Sequence, residues 1–274
     1  MIPIERLQAG LVIPIDKPLQ WTSFQAVNKV KSTIRRLYNI KNIKIGHAGT
    51  LDPLATGLLL VCVGKATKSI EQLQGGVKEY SGTLVLGAST PCHDLEQAVD
   101  RLYPTDHISA ERVEEVRRTF LGYIEQVPPM FSAVKIDGQR AYTYARKDDP
   151  DAVIEPKRVH IESFELTPMG KTEESAVQPE QTDNAQSVNR LSPHHYDHPQ
   201  GVVPAGLPLY GFRVVCGKGT YIRSLVRDLG AALDSGALLA SLRRERVGDF
   251  CVENAVQLSE IEEFFNLNPN DNFN

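Results

Sequence analysis

The feature that most constrains the fold is a run of six apolar residues, LLLVCV at Leu58–Val63, the longest such run in the chain. A membrane-spanning helix needs about 18 or more such residues, so this segment does not predict a membrane span. It directly follows a loop rich in Gly, Pro and Thr, GHAGTLDPLATG at 46–57. A short apolar run bounded by turn residues is typical of a buried strand. We therefore expect a globular protein with this strand in its core.

Other segments predict a mixture of helices and strands. A helix is expected after Thr22 or Ser23, because both are good N-caps and apolar residues follow at helical spacing. These apolar residues are Phe24, Val27, Val30, Ile34 and Leu37. Further helices are predicted over 110–120, with Ser109 as cap, and after Thr220; further strands are predicted over 11–16, 79–87, 157–167, 209–216 and 246–252.

Two segments lack the composition of a packed core. Residues 171–208 are rich in Gln, Ser, Asn, Pro and Glu, which predicts a disordered or loosely ordered insertion. The HHYDH sequence at 194–198 lies within it and makes a poor metal site, because ligands need rigid support. Residues 253–274 are acidic and end in NLNPNDNFN, which predicts a short tail.

The charge of the chain is unevenly distributed. Its 30 Lys+Arg and 34 Asp+Glu give a formal net charge of −4, which by itself argues against a nucleic-acid partner. However, residues 1–70 carry +7 and residues 211–250 carry +3, whereas 71–210 carry −9 and 251–274 carry −5. We expect the two basic stretches to meet in one basic face, which would attract a phosphate backbone; the alternative is that they are separate, solvated surfaces.

Cofactor motifs are missing from the sequence. The four cysteines form no CxxC pair and three lie in apolar runs, which favours buried thiols in a reducing cytoplasm over a disulfide framework or a metal site. The GKGT sequence at 217–220 lacks the spacing of a phosphate-binding loop. The N-terminus does not resemble a signal peptide. We therefore expect a cytoplasmic protein with no metal, nucleotide or redox cofactor.

Three residues stand out as candidates for chemistry. Asp52 lies on a tight loop before the buried strand, where a carboxylate suits covalent or base catalysis; the alternative is a turn or cap residue. Arg223 opens a helix in a basic segment and could pair with such a carboxylate, or be a surface residue. Tyr80 lies on a strand and could stack on a base, or simply pack in the core.

Several motifs occur together in a fixed order. They are Asp16-Lys17-Pro18, GHAGTLDPLATGLL (46–59), Lys78-Glu79-Tyr80, VPPMFSAVKIDGQRAYTYAR (127–146), GKGTYIRSLVRDLG (217–230) and Leu242-Arg243-Arg244. In this order the motifs closely resemble those of TruB-family tRNA pseudouridine synthases, over roughly residues 10–250.

The resemblance implies a fold and a reaction. The fold is mixed α/β (α+β), with a central, largely antiparallel sheet flanked by helices and loops. The reaction is the isomerisation of uridine to pseudouridine at position 55 in the T-arm of tRNA. The target base is flipped out, its glycosidic bond breaks, and the base rejoins the ribose through C5.

The resemblance also implies roles for individual residues. Asp52 is the catalytic residue, either attacking the ribose or removing its 2′ proton on a route through a glycal. Tyr80, Arg223, Tyr221 and Leu242 support the site: Arg223 pairs with the aspartate, Tyr80 stacks on the base, and the other two line the uracil pocket. His47 enters the RNA loop. Lys17 belongs to a motif expected to bind RNA or to support the site.

The expected organisation is a catalytic domain over 1–252, containing the insertion, followed by the tail over 253–274. We expect no PUA domain, which many relatives carry for RNA binding. Two alternatives remain at this point: a guide-RNA-dependent pseudouridine synthase, which would need that domain, and a non-catalytic RNA-binding protein or tRNA chaperone. We expect a monomer that acts on tRNA without a guide RNA and without a membrane.

Overall fold

The computed structural model describes residues 1–132, 134–136, 138–145, 153–173 and 201–267. The chain divides into two compact units, Met1–Tyr80 with Leu242–Asn274, and Ser81–Ser241. None of the helices within the described ranges is both long and apolar enough to cross a membrane.

Helices and strands are interspersed along the chain. The helices are α1 (Ile4–Ala9), α2 (Ser23–Tyr38), α3 (Ile70–Gly75), α4 (Ala110–Arg118), α5 (Ala141–Ala145), α6 (Ile222–Ala232) and α7 (Ile261–Asn266). The strands are β1 (Leu11–Lys17), β2 (Ile45–His47), β3 (Ala55–Val63), β4 (Lys78–Leu86), β5 (Ala88–Ser89), β6 (Arg101–Leu102), β7 (Gly122–Gln126), β8 (Lys135–Ile136), β9 (Gln139–Arg140), β10 (Lys157–Lys171), β11 (Pro208–Cys216), β12 (Ala237–Val247), β13 (Phe250–Cys251) and β14 (Val256–Gln257).

The first unit is organised around β3. Its residues Leu58–Val63 are fully buried, which confirms the predicted core strand. Strand β1 runs antiparallel to β3 from Leu11↔Val63 to Lys17↔Gly57, and β12 runs parallel to β3 with Leu242 opposite Ala55. Strand β14 pairs with the other edge of β1 in parallel. The loop that precedes β3 therefore lies beside the end of β1 and the middle of β12.

The second unit contains the order β4–β11–β10–β7 and the helices α4 and α6. Strand β10 pairs antiparallel with both β11 and β7. The pairs β1–β3, β2–β3, β7–β10, β10–β11 and β12–β13 are antiparallel, whereas β1–β14 and β3–β12 are parallel. The predicted fold class, mixed α/β with a largely antiparallel sheet, is confirmed.

Helix α2 forms for the reasons visible in the sequence, with one difference. Thr22 is its N-cap and makes a capping box with Gln25. Val27, Val30 and Ile34 are buried as predicted. Phe24, predicted on the same apolar stripe, is instead 69% exposed. The reason is geometric: the buried stripe runs through Ser23, Val27, Val30 and Ile34, and Phe24 projects from another side of the helix.

The predicted strand over 246–252 is wrong in its bounds. Strand β12 ends at Val247, and a turn leads into the short β13. The start of β12 at Ala237 was not predicted, because Arg243, Arg244 and Arg246 interrupt its apolar pattern.

The predicted tail is wrong for its described part, up to Leu267. Val256 pairs with Ile15 of β1, and Leu258, Ile261, Phe264 and Phe265 are buried. The buried apolar residues, and not the acidic ones, determine the structure of this segment. Residues 268–274 lie outside the described part.

The predicted loose insertion is ordered at both described ends. The Thr172 hydroxyl donates to the carbonyl of Pro204 (2.6 Å) and accepts from the backbone N–H of Leu207 (3.0 Å), while Val203 is 4% exposed. Residues 174–200, including the HHYDH sequence at 194–198, lie outside the described residues.

Candidate active site

Asp52 lies on the loop between β2 and β3, and the backbone groups of both of its neighbours are held by hydrogen bonds. The Ser23 hydroxyl accepts from the N–H of Leu51 (2.8 Å) and donates to the Leu51 carbonyl (3.0 Å). On the other side, the N–H of Gln20 donates to the carbonyl of Pro53 (2.9 Å). The half-buried carboxylate is thus presented from a loop fixed on each side, which is what a positioned catalytic group requires.

Lys17 lies beneath this loop and is fully buried. Its ammonium donates to the carbonyls of Pro18 (2.9 Å), Trp21 (2.6 Å) and Pro53 (3.4 Å). Burial lowers the pKa of Lys17 to about 7, while the charge of Asp52 acts in the opposite direction. The enclosed ammonium is thus directed at backbone carbonyls of the loop, and contact of Lys17 with RNA stays a prediction.

Arg244 holds the same loop from β12, and sequence reasoning did not single it out. It is 1% exposed, and its guanidinium donates to the carbonyls of Leu58 (2.7 Å), Gly49 (3.1 Å) and Thr50 (3.4 Å). An arginine in a strand that pairs with a buried one is a signal for such a role, because a buried cation needs several acceptors.

His47 and Leu242 lie on the two strands beside β3. His47 ends β2 opposite Val61, and Leu242 on β12 lies opposite Ala55. Burial lowers the pKa of His47 below its ordinary value, so the imidazole is neutral at pH 7. The first unit therefore brings Lys17, Asp52 and Leu242 around the start of β3, whereas His47 lies opposite Val61, farther along the same strand. Tyr80, 8% exposed, belongs to the same unit near the start of β4.

Tyr221 and Arg223 lie at the start of α6 in the second unit. The backbone N–H of Tyr221, the N-cap, donates to the side-chain carbonyl of Gln126 (2.8 Å). Arg223 is 4% exposed and donates to the carbonyls of Cys92 (3.0 Å) and Phe131 (2.8 Å). These bonds fix the direction of the guanidinium.

Asp94 is a second carboxylate in contact with Arg223, and sequence reasoning missed it. Its Oδ2 lies 3.7 Å from Nε of Arg223, and its Oδ1 accepts from the N–H of Glu96 (3.0 Å). Both side chains are almost fully buried. The sequence offered no clear signal, because the stretch TPCHDLEQAVD at 90–100 contains two other acidic residues, Glu96 and Asp100. Among the described residues, no group of His, Cys, Asp and Glu is arranged to hold a metal ion.

Comparison with known proteins agrees with this arrangement. The model of the TruB family pseudouridylate synthase N-terminal domain matches residues 35–182, and that of the tRNA pseudouridylate synthase B C-terminal domain matches residues 223–272. The chain belongs to the TruB family. The resemblance and the enzyme class inferred from the sequence motifs, a pseudouridine synthase, are confirmed.

Curated TruB relatives match over nearly their whole length. The chain is 46% identical to tRNA pseudouridine synthase B of Phocaeicola vulgatus over 255 residues, which are 93% of each chain. It is also 46% identical to that of Flavobacterium johnsoniae over 264 residues, 96% of this chain and 99% of the relative.

Among solved structures, the Cbf5 chain of a Cbf5-Nop10-Gar1 complex is similar to this TruB protein. The TM-score is 0.60 and the identity 26%, over 96% of this chain. This chain spans 56% of the length of that Cbf5 chain.

Proposed function

We propose that this protein converts uridine to pseudouridine at position 55 in the T-arm of tRNA. The family assignment supports a uridine isomerase, and the relatives matched at 46% identity are named tRNA pseudouridine synthase B. The observation that carries the proposal is Asp52 on a loop whose two flanking residues are each held by hydrogen bonds. Such a loop presents one carboxylate in one orientation.

The reaction begins with the target uridine leaving the RNA stack, which costs a few kcal/mol. We assign to His47 the role of occupying the vacated space in the RNA loop. An imidazole suits this role because it can stack on bases and form hydrogen bonds with them.

Asp52 then cleaves the glycosidic bond by one of two routes. Its carboxylate attacks C1′ of the ribose and displaces uracil as an anion, or it removes the 2′ proton so that uracil leaves with formation of a glycal. The freed uracil turns, and its C5 forms the new bond to C1′ as the ester bond between C1′ and Asp52 breaks or, on the glycal route, as C2′ regains its proton from Asp52. The proton on C5 is removed and N1 gains one, so atoms and electrons balance without a cofactor.

Arg223 is proposed to pair with Asp52 and keep it ionised and oriented. Asp94 and the carbonyls of Cys92 and Phe131 support this role, because they fix the guanidinium before substrate arrives. We assign Tyr80 to stacking on the base and to moving the C5 proton. Tyr221 and Leu242 are assigned to the walls of the uracil pocket.

This proposal places the protein in the cytoplasm, as a monomer that needs no guide RNA. The alternatives are a guide-dependent enzyme, to which the likeness with the Cbf5 chain gives some weight, and a non-catalytic RNA-binding protein. The two alternatives differ from the proposal in what they do with tRNA alone.

The test is incubation of the purified protein with an unmodified tRNA transcript, followed by carbodiimide labelling and primer extension. We expect a single new stop at position 55 without guide RNA. Asp52→Asn should abolish product but change tRNA affinity by no more than a few-fold, because phosphate contacts dominate affinity. Asp249→Asn, an exposed carboxylate of the same unit, is the matched control and should be fully active.

A protein that binds tRNA but yields no product at that position contradicts the proposal. Product that forms only after a guide RNA is added favours the guide-dependent alternative, and an active Asp52→Asn variant removes Asp52 from the catalytic role.

A further inference from the structure

Helix α2 lies in a stretch of unusual charge. Residues 17–51 contain seven Lys or Arg and no Asp or Glu. The buried side of the helix packs on the core through Val27, Val30 and Ile34. Its outward face is formed by residues at helical spacing, Phe24, Asn28, Lys31 and Arg35, which we call the α2 outer face. Phe24 is 69% exposed, Asn28 and Arg35 are exposed, and Lys31 is half-buried.

The four cations of α2 fall into two groups. Arg36 forms an ion pair with Glu262 (2.5 Å), and Lys29 also acts on the carboxylate of Glu262. Lys31 and Arg35 on the outer face have no ion pair with any residue in the ranges that the structure describes. The charge of the outer face is therefore available to an external anion.

The α2 outer face begins beside the loop of Asp52. Ser23, the residue before Phe24, makes two hydrogen bonds with Leu51, the residue before Asp52. From Phe24 to Arg35 the helix rises by about 16 Å, which is enough to follow several nucleotides. An exposed aromatic thus lies closest to the candidate catalytic carboxylate, with the cations farther along one line.

We propose that the α2 outer face binds the strand of substrate RNA that flanks the target uridine. Phe24 stacks on a neighbouring base, and Lys31 and Arg35 contact successive phosphates. This inference rests on the proposed function, since it takes RNA as the substrate.

The chemistry of the face favours RNA over a protein partner. A protein contact would draw on apolar residues next to Phe24, whereas the face continues with an amide and two cations. Single-stranded nucleic acid is bound by this combination of a basic track and an aromatic platform. The absence of acidic residues over 17–51 means that no nearby carboxylate of this stretch repels phosphate.

The test measures binding of unmodified tRNA to variants in the inactive Asp52→Asn background, over a series of salt concentrations. The double variant Lys31→Gln/Arg35→Gln should bind about tenfold more weakly and lower the slope of log K against log salt by about 1–2. Phe24→Leu should weaken tRNA binding by about fivefold. The salt slope should not change, because stacking releases no counterions. Phe24→Tyr, which keeps an aromatic ring, should bind tRNA as tightly as Phe24 does.

Arg36→Gln is the matched control, since Arg36 neighbours Arg35 but is paired with Glu262. It should bind tRNA within about twofold of the parent. With Asp52 intact, the double variant should lower kcat/KM for tRNA by about tenfold through a raised KM, whereas a loss confined to kcat would indicate a disturbed catalytic loop.

Unchanged affinity and slope in the Phe24 and double variants overturn the inference, as does an equal effect of Arg36→Gln. These outcomes are distinct from failure of the proposed function, in which the wild-type protein itself yields no pseudouridine.

Discussion

Lys17 and Arg244 are buried cations that hold the Asp52 loop through backbone carbonyls alone. A buried charge is costly unless it is fully hydrogen-bonded, so each cation stabilises the one loop conformation that supplies its acceptors. The carbonyls of Gly49 and Pro53 lie on either side of Asp52. Lys17 and Arg244 therefore fix the conformation of the loop before any substrate binds.

His93 provides a prediction about pH. Burial, helped by Arg227 and Arg223, lowers its pKa to about 4. The unfolded chain therefore binds a proton near pH 6.5 that the folded protein does not bind until about pH 4. The stability that comes from neutral His93 is complete above pH 6.5 and is lost as the pH falls from 6.5 to 4.

The variant His93→Asn should lose less stability over this range, by about 1–3 kcal/mol. Asparagine suits the site because His93 has a φ of 64°, which Asn tolerates. The measurement is urea unfolding at pH 7 and pH 4.5 for both proteins. Equal losses of unfolding free energy would show that another group accounts for the pH dependence.

At this scale the sequence predicts local structure where a continuous run of residues defines it. The loop of Asp52 is an example, whereas the catalytic role of Asp52 stays a prediction. The burial of Lys17 was not predictable, because a lysine is exposed by default and its acceptor Pro53 is 36 residues away. Arg244 and its acceptor Gly49 are farther apart still.

Strand β3 and its neighbour β12 approach each other closely at Gly57, which supports a prediction about packing. Gly57 has a φ of 95°, and a Cβ there would lie 2.8 Å from the backbone nitrogen of Arg244 and closer still to its carbonyl oxygen. Gly57→Ala should therefore lower the unfolding free energy by about 2–4 kcal/mol, combining backbone strain with displacement of β12.

Gly248→Ala is the matched control, because Gly248 also has a positive φ, 56°, but a Cβ there meets nothing within 4 Å. It should cost only about 1 kcal/mol. The two variants are compared by urea unfolding of the full chain. Equal losses would mean that backbone strain alone matters and that the approach of β12 to Gly57 contributes nothing.

Elements with a regular apolar period were predictable, and elements made irregular by charge were not. Helix α2 and β3 follow their patterns closely. Strand β12 carries three arginines, and α7 follows several glutamates, so both were hidden in the sequence. Arg243 is accommodated in β12 because its guanidinium forms a bidentate ion pair with Asp16 of β1 (3.0 and 2.8 Å). These two residues are far apart in the chain, so the pair could not be predicted from a local pattern.

For the whole molecule, the net charge of −4 conceals a basic N-terminal part. The acid-free stretch over 17–51 belongs to the first unit, as do residues 242–250 of the second basic segment. The rest of that segment, 211–241, belongs to the second unit. The basic face expected from residues 1–70 and 211–250 together stays a prediction.

The region between β10 and β11 supports the last prediction. Thr172 makes four hydrogen bonds with the segment 204–207, and Val203 is buried beside it. These contacts join the ends of β10 and β11 through described residues. Replacing 174–200 by a short Gly-Ser linker should therefore leave unfolding cooperative and change Tm by no more than about 2 °C, since a shorter loop costs little entropy.

A matched deletion of 172–207, with Lys171 joined to Pro208 by Asn-Gly, removes those bonds and Val203 but keeps the opposed ends of β10 and β11. It should lower Tm by about 5 °C or more, because buried hydrogen bonds and an apolar side chain are lost together. Thermal unfolding of both deletions decides the point. Replacement of 174–200 could instead unfold the protein or lower Tm as much as deletion of 172–207 does. In that case residues 174–200 contribute to the folded core, and the loose insertion predicted from their polar composition is wrong.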